Sequence, residues 1–158
     1  MRGPFAETIT KLAFKDPSLL LITADFCYGY LDKLKQERPA QYLNIGSCEQ
    51  SMVSIAAGLA LEEVLPVVYC ITPFLLDRAL EQVKLDIAVP HLRVMLVGFD
   101  HYLGLGPSHN PLGPKEVIAL MPSISYYEPK TRVEAADAVM DAYLQSGPSF
   151  IRLRNETL

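Results

Sequence analysis

The 158-residue sequence is half hydrophobic and one-fifth charged, the composition of one folded domain rather than of a disordered tail. Its net charge of −4 lacks the clustered positive charge that a nucleic-acid partner needs. No apolar run reaches the ~18 residues of a membrane helix, and Met1 to Glu7 shows no apolar signal-peptide core.

Cys27, Cys48 and Cys70 are odd in number and form no Cys-x-x-Cys pair, which speaks against a disulfide framework or a zinc knuckle. They read as small buried hydrophobes in a reducing compartment, so a cytoplasmic location is expected.

Short apolar runs alternate with longer amphipathic ones. Phe5, Ile9, Leu12 and Ala13 predict a helix over Pro4 to Lys15, stopped by Asp16-Pro17. Leu19 to Thr23 reads as a buried strand, Tyr28 to Glu37 as a helix and Gln41 to Ile45 as a second strand. After the turn at Gly46-Ser47-Cys48, Met52, Val53, Ala56 and Ala57 mark a helix over Glu49 to Leu61. Pro66 to Ile71 is a third strand, Phe74 to Val89 a helix with Leu75, Ala79, Leu80, Val83 and Ile87 inward, and Leu92 to Val97 a fourth strand. Pro122 to Tyr127 and Ser149 to Leu153 complete the strands, with a helix over Thr131 to Gln145 between them.

Continuously apolar strands imply burial on both faces, and strand–helix alternation implies a parallel sheet. The expected fold is α/β: a three-layer α/β/α sandwich on a mostly parallel six-stranded sheet. Sites in such folds form at the carboxyl ends of strands. The segment from Gly98 to Pro114, rich in Gly and Pro and carrying His101 and His109, is a long loop after a buried strand, where function concentrates.

Generic motifs give little. There is no P-loop and no Gly-x-Ser-x-Gly elbow, and Gly104-Leu105-Gly106 lacks the third glycine of a dinucleotide fingerprint. His101 and His109 have no third ligand to complete a metal set. Glu49 opens an apolar helix directly after a strand and turn. A carboxylate there either complements the helix dipole or serves as a partly buried acid suited to proton work.

The stretch Asn44-Ile45-Gly46-Ser47-Cys48-Glu49-Gln50-Ser51-Met52-Val53, followed by Ala56-Ala57-Gly58-Leu59-Ala60, closely resembles the Asn-x-Gly-Ile-Ala-Glu-Gln-x-Met stretch of transketolase-like, thiamine-diphosphate-dependent enzymes. Lys15-Asp16-Pro17 through Thr23-Ala24-Asp25 resembles the family's opening helix and first strand. Tyr69-Cys70-Ile71-Thr72-Pro73-Phe74 resembles the segment that carries its pyrimidine-stacking aromatic. Gly106-Pro107-Ser108-His109-Asn110-Pro111 resembles its Gly-Pro-Thr-His loop, and Gly147 to Leu153 its last strand. The resemblance is to the pyrimidine-binding domain and spans residues 1–158 as one such domain.

The resemblance implies roles. Glu49 would hydrogen-bond N1′ of the cofactor's aminopyrimidine, and for that the carboxyl should carry the proton, which burial favours. The ring in its imino form would then take the proton from C2 of the thiazolium. Phe74 would stack on the pyrimidine beside Ile71, and His109 would donate to substrate oxygens. Asp25 would line the site or a subunit contact. Arg154, near an arginine that some relatives use for a sugar phosphate, reads better as a solvated charge.

Departures concern the substrates. Gly104 and Leu105 stand where full transketolases place an acid, Asn110 where short relatives have a second histidine, and Ile71 where long enzymes have an aromatic. The Gly-Asp-Gly…Asn motif, which holds Mg²⁺ and the diphosphate on a separate domain, does not occur, and the C-terminal domain is not represented. The resemblance therefore implies the pyrimidine-binding subunit of a split enzyme that transfers a two-carbon ketol unit. Its partner would carry the Gly-Asp-Gly…Asn motif, in an assembly of two copies of each chain. The alternatives are a component of a two-subunit 2-oxo acid decarboxylase and a non-catalytic scaffold.

Overall fold

The computed structural model describes residues 1–26, 29–100 and 103–155. The strands are β1 (Leu19–Thr23), β2 (Tyr42–Asn44), β3 (Leu65–Ile71), β4 (Met95–Asp100), β5 (Ser125–Tyr127) and β6 (Ser149–Arg154). Among the described residues they form one six-stranded sheet in the order β2-β1-β3-β4-β6-β5, and every pairing is parallel.

Side-chain alternation sorts the core into two layers of contact. Leu19, Leu21, Val67, Tyr69, Met95, Val97, Ile151 and Leu153 point to one face. There they meet Phe5 and Ile9 of α1 (Arg2–Lys15) and Ala135 and Val139 of α6 (Arg132–Leu144). Ile22, Val68, Cys70, Leu96 and Phe150 point to the other, against Met52, Val53 and Ala56 of α3 (Glu49–Leu61). The result is the expected three-layer sandwich, with a sheet that is wholly rather than mostly parallel. The edge strands β2 and β5 are short and half open to solvent.

Boundaries move where turns borrow apolar residues. β4 starts at Met95 rather than Leu92, because Val94 N bonds back to Leu92 O in a turn that follows His91 at φ 57°. β5 starts at Ser125, since Met121 and Ile124 are buried in a turn closed by Ile124 N to Met121 O. Of the second predicted helix, α2 (Asp32–Glu37) forms, while Tyr28 lies outside the described residues.

The predicted helix over Phe74 to Val89 is replaced by two wide turns, Pro73–Asp77 and Val83–Ala88, flanking α4 (Leu80–Gln82). Arg78 N bonds to Pro73 O and Val89 N to Lys84 O, five residues back in each case. Such turns each absorb an extra residue. Leu75, Ala79, Val83 and Ile87 keep the inward positions their spacing predicts, while Leu80, also expected inward, is exposed. The long loop carries short 3₁₀ turns at Leu103–Leu105 and Pro107–His109. It ends in α5 (Pro114–Ala119), too short to show in the periodicity.

Candidate functional site

The chain leaves β1 for β2 on one side, and β3 returns on the other. A crevice opens where such a strand order reverses. A cavity of ≈ 220 Å³ lies there, walled by Asp25, Glu49, Ile71, Phe74, Leu105 and His109, with Phe26 and Cys70 behind them. Complete ligand pockets run from ~300 to 1,000 Å³, so this cavity holds part of a cofactor-sized molecule rather than all of it.

Glu49 is the first residue of α3 and is only 3% exposed. Gly46, at φ 74°, makes the turn that sets it there, with Cys48 N bonded to Gly46 O at 2.7 Å. A buried carboxylate needs a paired charge or hydrogen bonds. Arg78 supplies both, donating from Nη1 to Glu49 Oε2 at 2.9 Å. The sequence-based picture of a carboxyl governed by burial alone omits this guanidinium.

Phe74 projects from the first wide turn. The Arg78 guanidinium lies 3.7 Å from its ring centroid, and the His109 ring meets it edge-on at 4.9 Å. Ser108 Oγ and His109 Nδ1 are hydrogen-bonded at 3.0 Å. Leu112 N donates to Asp77 Oδ2 at 2.9 Å, which ties the long loop to that same turn. Burial pushes the Asp77 carboxyl above its usual range, the Leu112 amide opposes this, and the nearby Asp100 charge adds to it. Ile71, the last residue of β3, is buried in the cavity wall.

Asp25 stands on the exposed rim in a left-handed conformation, φ 49°. It is a brace as much as a liner, through a reciprocal pair of hydrogen bonds with Asn44. The five residues expected at the site, Asp25, Glu49, Ile71, Phe74 and His109, thus converge on one cavity. Arg78 was not foreseen. Its signal was its place four residues after Phe74, the spacing of neighbours on a helix face.

Other expectations change. Cys48 is exposed rather than buried, and Cys27 and His101 lie outside the described residues. Cys70 is buried, and burial together with the Glu49 charge pushes its thiol up to about 12. Arg154 is not a lone solvated charge: it pairs with Glu128, which also accepts from Arg152 Nη1 at 3.2 Å. Among the described residues no cluster of three or more His, Cys, Asp or Glu could hold a metal, and no helix is long and apolar enough to cross a membrane.

A wholly parallel sheet with a half-sized cavity at its switch point defines an α/β domain that presents one wall of a ligand site. The match to known proteins is more specific: residues 1–158 fit the transketolase pyrimidine-binding domain, and the chain belongs to that family. It is 38% identical over 138 residues to 1-deoxy-D-xylulose-5-phosphate synthase of Gloeothece citriformis, covering 82% of this chain and 21% of that protein. It is 34% identical over 157 residues to the Microcystis aeruginosa synthase, covering 94% and 24%. The chain thus spans about a fifth to a quarter of the length of these relatives.

Among solved structures, a split gene transketolase described as an inactive beta4 tetramer superposes with a TM-score of 0.88 at 23% identity. It covers 99% of this chain and 52% of that one. Transketolase from Leishmania mexicana gives 0.82 at 23% identity, covering 98% and 25%. At this identity the likeness establishes the fold.

Proposed function

We propose that this chain supplies the pyrimidine-binding half of a transketolase-like site that uses thiamine diphosphate, completed by a second polypeptide. The observation that carries the reading is Glu49: a buried carboxylate on the wall of a ring-sized cavity, with the aromatic Phe74 beside it. A flat heterocycle needs an apolar surface to stack on and one fixed hydrogen-bonding group at its edge. Phe74 and Ile71 offer the first and Glu49 the second.

When bound, thiamine diphosphate supplies a carbon that adds to a substrate carbonyl and a ring that accepts the electron pair. The work of this chain is to hold and orient. Glu49 would exchange a hydrogen-bonded proton with N1′ of the pyrimidine. His109, on the loop side of Phe74, would donate to substrate oxygen atoms. The small cavity supports a site divided between chains, with Mg²⁺ and the diphosphate held on a partner bearing a Gly-Asp-Gly…Asn motif. Two copies of each chain would form the assembly, working in the cytoplasm, a location that the unpaired Cys48 and Cys70 support.

The reaction class proposed is transfer of a two-carbon ketol unit between sugars. A second reading is a component of a two-subunit 2-oxo acid decarboxylase using the same cofactor; the name of the similar proteins, 1-deoxy-D-xylulose-5-phosphate synthase, makes a sugar phosphate a product to look for. Calorimetric titration of thiamine diphosphate with Mg²⁺, into this chain alone and into its complex with the motif-bearing partner, tests the common core. Binding is expected in the complex. Its absence there overturns the reading and favours a scaffold. Glu49→Gln should abolish turnover of the complex while leaving assembly intact, and ketose phosphates against 2-oxo acids separate the two reactions.

A further inference from the structure

We propose that Arg78 is a positioning residue that fixes both functional side chains of the cavity from outside it; this rests on the reading of Glu49 and Phe74 given above. Its guanidinium makes two contacts at once. Nη1 donates to Glu49 Oε2 at 2.9 Å, and the guanidinium carbon sits 3.7 Å from the Phe74 ring centroid. Yet Arg78 is not part of the cavity wall. It lines the neighbouring open groove with Asp77, Leu80, Glu81, Lys84 and Leu85, and is 44% exposed. It therefore backs the acid and the aromatic rather than competing with a ring for them.

The geometry is demanding. A planar guanidinium can stack on an aromatic face and still direct an in-plane N–H at a carboxylate, which an ammonium cannot do. The wide turn Pro73–Asp77 makes this reach possible. Its bond from Arg78 N to Pro73 O sets Arg78 just past Phe74, with the extra residue of the turn between them. Glu49 Oε2 is committed to Arg78, and Oε1 accepts no protein hydrogen bond among the described residues, leaving one acceptor for the cavity. His109 meets Phe74 in a T-shaped contact. The ring is thereby held by a cation over its face and by a T-shaped contact with an imidazole.

The test is a double-mutant cycle read by calorimetric titration of thiamine diphosphate with Mg²⁺ into the assembled complex. The set is wild type, Arg78→Ala, Arg78→Lys, Glu49→Gln, Phe74→Ala and Glu49→Gln/Arg78→Ala. Arg78→Ala should weaken binding about 10-fold or more, the usual scale for residues that orient a ligand's direct contacts. Arg78→Lys should restore only part of the loss. In the Glu49→Gln background the Arg78→Ala loss should shrink several-fold, because its target is gone. A purely structural role would give equal losses in both backgrounds. Equal losses, or wild-type affinity in Arg78→Ala, overturn the inference alone, provided Glu49→Gln or Phe74→Ala weakens binding. If neither of those variants affects binding, or the wild-type complex itself does not bind, the reading of the site falls with it.

Discussion

Asp25 and Asn44 exchange two hydrogen bonds across the carboxyl ends of neighbouring strands. Asp25 N donates to Asn44 Oδ1 at 2.9 Å, and Asn44 Nδ2 donates to Asp25 Oδ1 at 2.8 Å. Asn44 Oδ1 also accepts from Gly46 N at 3.1 Å. One amide thus ties the end of β1 to the turn that delivers Glu49.

Asn44→Ala should cost about 1–2 kcal/mol of stability, as several modest hydrogen bonds are lost together. Urea unfolding measures it. Asn44→Asp, which keeps the acceptor and loses the donor, should not recover the full loss, since it sets a second carboxylate against Asp25.

Gly98 marks a close approach. A Cβ there would lie 2.5 Å from Thr72 Oγ1, 3.1 Å from Thr72 Cα and 2.9 Å from the Phe150 ring. Thr72 directly precedes the turn that carries Phe74. Gly98→Ala should destabilise by about 1–3 kcal/mol, as overpacking does, and should weaken cofactor binding by displacing that turn. Thermal unfolding and calorimetry of the complex check the two parts.

The thiols separate by environment. With Cys70 held near 12 against an ordinary value of 9.0, iodoacetamide near neutral pH should label exposed Cys48 and spare Cys70 until the protein unfolds. Peptide mapping reads this directly. Native Cys70 keeps its proton over the range in which the unfolded thiol has lost it. The native state therefore binds more protons between about pH 9 and 12, and stability falls as pH rises through that window. Cys70→Ala should flatten that fall in urea unfolding at about pH 10.5.

The alternation of apolar runs and amphipathic segments was enough to show a parallel α/β sandwich, because strand and helix periodicities are local properties of the chain. Glu49 was legible for the same reason: a strand, a glycine turn and an apolar helix place the helix's first residue at a strand's carboxyl end. The strand order was not legible, since pairing is decided by which layers bury one another. The wide turns within the predicted helix over Phe74 to Val89 were hidden too, because one extra residue in each leaves composition unchanged and Leu75, Ala79, Val83 and Ile87 still face inward, Leu80 alone of that set being turned out. The contact between Arg78 and Glu49 joins residues 29 apart in sequence. Only the packing of α3 against the turns after β3 brings them together, and with them the cavity that sequence alone could place but not shape.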